Sequence, residues 1–223
     1  NRLWVCFVVE CEWESLKRAT TGKSAGFDFG LTTFLTDSNG KTYKSDEFLK
    51  QELDRIRVLH RALSRKQVGS KRYRKAKYTL SRAYIRIADK RTDSHYKLAH
   101  QLCKDFDRLY FEDLNIDGMK RLWGRKVSDL AFSEFLEILE WIAFKYDVEV
   151  AKIDRWQPTS KVCSHCGNVQ DISLQQRVYD CKSCDLKLDR DHNAAKNIKR
   201  IGASIPLQEA CQTGTCACIV VDG

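Results

Sequence analysis

The sequence has little proline and methionine, and it contains no long apolar run. Two of its 223 residues are proline, Pro158 and Pro206, which excludes a proline-rich linker. No apolar run approaches the roughly 20 residues of a membrane span, and the short apolar stretch near the N-terminus carries acids, which excludes a secretory signal. We therefore expect no membrane partner. The only methionine is Met119, so we expect a fragment of a longer protein or a truncated gene product.

Acidic residues are nearly absent from one part of the chain. The whole sequence has a net charge of +9, but the segment from Arg55 to Arg91 contains fourteen cations and one acid, Asp89. A positive field of this density is typical of nucleic-acid binding, although most charge runs are solvated helix faces. Tyrosines lie among the cations, and acids at i,i+4 spacing are scarce, which favours nucleic acid. The candidate backbone contacts are Lys71, Arg72, Arg74, Lys75 and Lys77.

Cysteine, in contrast, is abundant. Ten cysteines in a chain without a secretory signal favour metal ligands in a reducing compartment over disulfides, so we expect a cytoplasmic protein. Four of them form two C-x-x-C pairs that are separated by fourteen residues, a spacing typical of a zinc ribbon. We predict one structural zinc ion, because four thiolates leave no open position for water. The predicted ligands are Cys163, Cys166, Cys181 and Cys184.

Apolar residues make up 43% of the chain, which is enough for a folded core. Hydrophobic periodicity predicts strands and helices in an order that is typical of an α/β fold with a mixed sheet. This order of elements fits a ribonuclease-H-like core, but it also fits other sheets. The Asn39-Gly40 pair predicts the turn of a β-hairpin within residues 24–43. The other predicted strands span 3–10, 108–116 and 148–154, and the predicted helices span 46–66, 71–104, 132–146 and a last segment beginning at 189.

Three acids occupy positions where burial is costly unless a cation is near. Asp28 lies inside an apolar strand, Glu112 inside another, and Asp191 opens the last helix. Each also has a purely structural interpretation: Asp28 as a bulge residue, Glu112 as an exposed strand acid and Asp191 as a helix N-cap. Together, beside a basic segment, they indicate carboxylate ligands for Mg²⁺, and two such ions can promote phosphodiester cleavage. Asp189 is an alternative to Asp191.

Five stretches, in this order, resemble one known family. They are GFDFGL, FEDLNIDGM, PTSKVCSHCG, CKSC and DRDHNAAKNI. The chain is similar in these stretches to the C-terminal half of the TnpB (OrfB) proteins of insertion sequences, relatives of type V CRISPR effectors. The second knuckle departs from the family pattern, because Asp185 stands where glycine is usual.

The resemblance implies a RuvC nuclease domain of ribonuclease-H fold with an inserted zinc ribbon, and Mg²⁺-dependent, RNA-guided cleavage of DNA in a prokaryotic cell. It places the catalytic acids at Asp28, Glu112 and Asp191, and the partners are DNA and a guide RNA. The alternatives are a non-cleaving nucleic-acid-binding relative and an inactive transposon-derived fragment.

The same resemblance divides the chain into five parts. We expect the last strand of a wedge domain at 1–12, a nuclease core at 13–157 with a basic helical insertion at about 46–104, a zinc ribbon at 158–188, a last nuclease segment at 189–205, and a disordered tail at 206–223. Cys211, Cys216 and Cys218 of the tail are candidates for a second metal site.

Overall fold

The computed structural model describes residue 7, residues 18–173 and residues 175–205, and only the backbone of Asp117 and Arg125. The strand predicted at 3–10 and the tail with its three cysteines lie outside the described residues. In chain order the elements are β1 (Ser24–Phe29), β2 (Leu35–Asp37), β3 (Thr42–Tyr43), α1 (Phe48–Gln51), α2 (Leu53–Ser64), α3 (Lys71–Asp105), β4 (Arg108–Glu112), α4 (Ile116–Leu130), α5 (Phe132–Tyr146), β5 (Glu149–Ile153), β6 (Val178–Asp180), β7 (Lys187–Asp189) and α6 (Arg190–Ala203).

Five of the strands form one mixed sheet. Their order is β3-β2-β1-β4-β5, with β1, β4 and β5 parallel and the first three strands antiparallel. The predicted α/β fold with a mixed sheet is therefore confirmed. The carboxyl ends of the three parallel strands meet at one edge, so residues at those ends can combine into one site.

Helices cover both faces of this sheet. On one face, Phe27 and Phe111 stack with ring centroids 5.1 Å apart and pack with α3 and α5, whose Leu102 and Phe135 are fully buried. On the other face, Ile198 of α6 packs on Tyr110 and Ile153. Because side chains alternate along a strand, Asp28 and Glu112 face α6 rather than the aromatic core.

Gly26 lets helix α6 lie directly on strand β1. A Cβ atom built at Gly26 would lie 2.3 Å from the backbone N of Lys199 and 2.4 Å from the backbone O of Ala195. Real Cβ atoms do not approach backbone atoms this closely, so no other residue fits here without movement of the helix. Gly26 therefore sets the distance between β1 and α6.

Helices α2 and the first half of α3 form a basic helical hairpin. They share a small core of their own, formed by Ile56, Leu80, Ala83 and Ile87. The second half of α3 belongs to the main core through Ala99 and Leu102. At about 1.5 Å per residue, the 35-residue helix α3 is roughly 50 Å long. The hairpin therefore extends from the sheet on a continuous helix.

A separate ribbon lies between β5 and α6. Strands β6 and β7 pair antiparallel, and the fully buried Tyr179 packs against Cys163 and Cys181. Its hydroxyl donates to the backbone O of Lys161 at 3.0 Å. This small core, with the four cysteines beside it, corresponds to the ribbon that the sequence predicts.

The element predictions agree with the structure in most places. The helices predicted at 71–104 and 132–146 correspond to α3 and α5, and the two strands predicted at 108–116 and 148–154 correspond to β4 and β5. The hairpin turn at Asn39-Gly40 is confirmed, because β2 and β3 pair antiparallel around it, but a loop at 30–34 separates β1 from β2 and gives residues 24–43 three strands. The helix predicted at 46–66 is interrupted at Glu52, and α4 was not predicted. The predicted domain boundaries stay predictions.

No helix in the described part of the chain is both long enough and apolar enough to cross a membrane.

Candidate functional site

A cleft of about 780 Å³ lies at the carboxyl edge of the sheet, and the three predicted acids line it. Asp28 comes from β1, Glu112 from the end of β4, and Asp191 from the first turn of α6. The structure thus brings together three residues that are far apart in the sequence.

The parallel pairing of β1 and β4 places Asp28 beside Glu112. The paired register of β1 and β4 ends with Phe27 opposite Phe111, and the next residue on each strand is a carboxylate. Glu112 also accepts a hydrogen bond from the hydroxyl of Thr159, with the two oxygens 3.3 Å apart. Thr159 is buried, so it holds the Glu112 side chain toward the cleft.

The two aspartates at the start of α6 have different surroundings. Asp189 is the N-cap, and one of its oxygens accepts from the backbone N of Asp191 at 2.9 Å and of His192 at 3.1 Å. It is exposed and does not line the cleft. Asp191 lines the cleft, its side chain is 19% exposed, and Arg190 lies 3.5 Å from its Oδ1. Asp189 therefore caps the helix, and Asp191 is available to a ligand.

Burial and like charge act together on these acids. The pKa of Asp28 is raised well above its usual range, first by burial and then by the charges of Asp191 and Glu112, while Arg190 opposes the shift. The pKa of Glu112 is raised, first by burial, and the hydrogen bond from Thr159 opposes that shift. A cation in the cleft would lower both pKa values, because it stabilises the ionised carboxylates. The electrostatics of the cleft thus fit a divalent cation.

The three carboxylates are not packed as tightly as a preformed ligand cage. Among the described residues, only the four cysteines form a close group of three or more metal-ligating side chains. Their sulfur atoms all lie within 4.8 Å of one another. Like charges at contact distance repel, so a wider spacing is expected for three acids without a cation between them. The cleft is open enough for an ion with water ligands, which Mg²⁺ commonly keeps.

The four predicted cysteines lie together in a geometry that suits a metal ion. The Sγ atoms of Cys163 and Cys184 lie 3.7 Å apart, and those of Cys166 and Cys181 lie 3.6 Å apart. Disulfides need about 2.05 Å, whereas four sulfurs around one zinc at about 2.3 Å are roughly 3.8 Å apart. The pKa of Cys181 is lowered to about 7, first because the backbone N–H of Ser183 donates to it. The cluster can hold a tetrahedral metal ion.

Both cysteine knuckles end in a left-handed residue. Gly167 has φ +78° and Asp185 has φ +56°, and each backbone N donates to the O of the first cysteine of its own knuckle. Aspartate is among the non-glycine residues that adopt this conformation most readily. Asp185 therefore preserves the turn in which the family pattern has glycine.

Two buried asparagines attach the ribbon to α6. Asn193 donates from Nδ2 to the backbone O of Val162 at 2.8 Å and accepts from the backbone N of Ser164 at 2.9 Å. Asn197 donates from Nδ2 to the backbone O of Thr159 at 2.8 Å and of Val162 at 2.7 Å. Both side chains are fully buried. The knuckle around Cys163 is thus joined to the helix that carries Asp191.

The predicted backbone-binding cations lie on the basic helical hairpin and not on the cleft. All five are exposed on the first two turns of α3, which Ser70 caps through Tyr73 N at 3.1 Å. None of the five forms an ion pair with a described residue, whereas Arg55 pairs with Glu52, the residue before α2, and Arg57 pairs with Asp54 of α2. The residues concerned are Lys71, Arg72, Arg74, Lys75 and Lys77.

Sequence reasoning missed several residues around the cleft. Thr159 lies inside the quoted PTSKVCSHCG stretch, but its contact with Glu112 depends on the tertiary fold. Trp123 and Trp156, which also line the cleft, carry no local signal. Asn193 and Asn197 do carry a local signal, because residues four apart on a helix lie on the same face, here next to Ala194 and Ile198.

Two family models match the chain. One, OrfB_IS605, is described as "Probable transposase" and matches residues 6–122. The other is described as "Cas12f1-like, TNB domain" and matches residues 132–198, which include the whole ribbon.

Named relatives agree with these matches. A Streptomyces pristinaespiralis protein named "Putative RNA-guided DNA endonuclease" is 32% identical over 92% of this chain and 53% of its own length. "TnpB-like protein L79" of Acanthamoeba polyphaga mimivirus is 32% identical over 80% of this chain and 37% of its own length. The chain thus spans about half or less of the relatives it matches.

A solved structure has the same fold. A chain of the "Cryo-EM structure of the Cas12f1-sgRNA-target DNA complex" superposes with a TM-score of 0.58 at 19% identity, over 78% of this chain and 49% of that one. At this identity the likeness concerns the fold alone. The transposase model covers more than half of the sequence, and the predicted TnpB/OrfB resemblance is confirmed: the chain belongs to the OrfB_IS605 family.

Proposed function

We propose that this chain is the nuclease part of a TnpB-like, RNA-guided DNA endonuclease, with a RuvC core of ribonuclease-H type. The observation that carries the proposal is the convergence of Asp28, Glu112 and Asp191, from three elements, on one cleft. The names of the relatives support the activity, and the fold likeness to Cas12f1 supports the RuvC assignment.

The three carboxylates are the ligands of Mg²⁺ in this proposal. Mg²⁺ selects oxygen ligands, and the raised pKa values of Asp28 and Glu112 give both acids an electrostatic reason to bind it. When bound, Mg²⁺ activates a water molecule and stabilises the leaving oxygen of a phosphodiester.

The protein residues around the ligands keep them in place. Thr159 orients Glu112 through its hydroxyl, and Asp189 secures the first turn of α6, so that Asp191 stays on the cleft. Arg190 supplies positive charge beside Asp191, which moderates the repulsion among the acids.

The cysteine cluster binds Zn²⁺ and has a structural role. Its four sulfurs are spaced as a tetrahedral site requires, and each of them belongs to the protein, so that no position remains for a water. The ribbon then positions α6 through Asn193 and Asn197.

The basic helical hairpin binds the backbone of the guide RNA or the target DNA. Its exposed cations have few carboxylate partners, so that their charge is available to phosphates. The two nucleic acids are the partners that the relatives' names imply.

The pair Asp191→Asn and Asp189→Asn tests the assignment. Both changes are isosteric, and asparagine caps a helix as well as aspartate does, so Asp189→Asn leaves the fold intact. In a full-length TnpB-like protein that carries this chain, assembled with its RNA, we expect Asp191→Asn to lower the rate of DNA cleavage by several orders of magnitude. Asp189→Asn should cleave normally.

Other outcomes have definite meanings. Normal cleavage by Asp191→Asn together with loss in Asp189→Asn would move the ligand to Asp189. Binding of target DNA without cleavage, in the unsubstituted protein with Mg²⁺, would show the non-cleaving alternative instead.

A further inference from the structure

Two exposed tryptophans line the cleft beside the acids. Trp156 is 84% exposed and Trp123 is 41% exposed. Large exposed apolar side chains that line a cleft commonly mark a contact surface. Neither ring contacts another aromatic ring among the described residues, so their faces are available to a ligand.

The chain around Trp156 is held firmly although the ring is exposed. The Asp154 carboxylate accepts from the backbone N of Trp156 at 3.0 Å, and the backbone O of Asp154 accepts from Gln157 N at 3.1 Å. The preceding side chain, Arg155, forms an ion pair with Asp113, the residue next to Glu112. The ring therefore projects from an ordered turn at the same sheet edge as Glu112.

Trp123 lies at an interruption of α4. Its φ of −132° and ψ of 31° are not helical, although the helix continues on both sides. No proline causes this kink, and Gly124 follows it directly. The interruption occurs at the residue whose ring lines the cleft.

Cations line the cleft together with the tryptophans and the acids. Arg155, Arg177 and Arg190 line the same cleft. Aromatic faces next to arginines are the combination by which proteins hold single-stranded nucleic acid, with bases on the rings and phosphates on the cations. Bases within a duplex cannot use these rings, because their faces are already covered by neighbouring base pairs.

We infer that Trp156 and Trp123 stack on unpaired bases of a single strand and position its phosphodiester over the three carboxylates. This inference rests on the proposed nuclease function and adds to it two residues that position the strand at the cleft. Trp156 is the main platform, since it is the more exposed of the two.

The binding of short labelled oligodeoxynucleotides tests the inference. The 223-residue chain is used with Glu112→Gln, which removes cleavage, and without added Mg²⁺. We expect Trp156→Ala to weaken the binding of a single-stranded oligonucleotide about 5- to 150-fold, and Trp156→Phe to restore most of the loss. Binding of the matching duplex should not change. Phe144→Ala is the control, because Phe144 is 67% exposed but does not line the cleft.

Oligonucleotides with one abasic site locate the stacked base. An abasic site at that position should weaken binding to the chain with Trp156 but have no further effect on Trp156→Ala, because the two changes remove the same contact. Additive effects at every position, or equal losses for single strand and duplex, would overturn the inference. The assay does not require cleavage, so a failure of the proposed nuclease function would appear separately, in the Asp191→Asn experiment.

Discussion

The substitution Gly26→Ala tests whether the close contact of β1 and α6 positions the candidate site. The added methyl group would meet Lys199 N at 2.3 Å and Ala195 O at 2.4 Å. Ordinary carbon contacts need about 3.5 Å, so α6 must move by roughly 1 Å. All the closest atoms belong to the backbone, and a rotamer change cannot relieve the clash.

The expected effect has two components. Overpacking of a core costs about 1–3 kcal/mol, and we expect a value near the upper end because both partners are backbone. The shift also moves Asp191, which lies one turn before Ala195 on the same helix, relative to Asp28. A misplacement of about 1 Å lowers a reaction rate by roughly 10²-fold.

Denaturant unfolding of the zinc-loaded chain measures the first component, and DNA cleavage by the RNA-assembled full-length protein measures the second. Gly124→Ala is the matched control, because a Cβ at Gly124 meets no atom within 4 Å. It should keep full activity and close to wild-type stability, because the added methyl group meets no other atom. Wild-type stability and activity in Gly26→Ala would refute the view that Gly26 sets the spacing of the site.

Three further predictions concern the metal, the basic hairpin and pH. Elemental analysis should find about one zinc per chain, lost in Cys181→Ser but kept in Cys103→Ser, whose thiol is buried elsewhere in α3. Changing the five cations between Lys71 and Lys77 to Gln should lower the salt dependence of nucleic-acid affinity by roughly 0.9 per lost phosphate contact, and an unchanged slope would mean that they face solvent. Without Mg²⁺, the free energy of unfolding should fall as pH rises from the usual carboxyl range to the raised pKa of Asp28, because the folded state then binds the proton more tightly than the unfolded state. Asp28→Asn should remove most of this fall in pH-dependent denaturation, and Mg²⁺ should oppose it.

Short sequence patterns predicted the elements whose structure depends on residues close together in the chain. The two C-x-x-C spacings identified the ribbon because a knuckle is closed by a few neighbouring residues, and the apolar period of α5 gave its bounds from Phe132 to Tyr146. The loop after β1 was missed because Gly30 N bonds Phe34 O, and this contact gives no periodic signal.

Long-range contacts explain what the residues alone left open, although the family resemblance already placed the third acid at Asp191. The choice between Asp189 and Asp191 depends on which one caps α6, and only the orientation of the helix on β1 shows that the other faces the cleft. Helix α4 was missed because Gly118 and Gly124 weaken its helical pattern, although Asn115 caps it by accepting from Gly118 N at 3.0 Å. Its bend at Trp123 has no sequence signal of its own.

The packing of α6 on β1 has a consequence for the order in which the protein assembles. Strand β1 begins at Ser24, but the helix that covers it begins at Arg190, after every other described element has been synthesised. Long-range contacts of this kind form late and slowly in folding. Until then the Asp28 face of the nascent sheet has no α6 on it and the third acid is absent. A chain that stops on the ribosome before Arg190 therefore lacks a complete acidic site, so that the proposed nuclease activity is restricted to molecules whose synthesis has passed the ribbon.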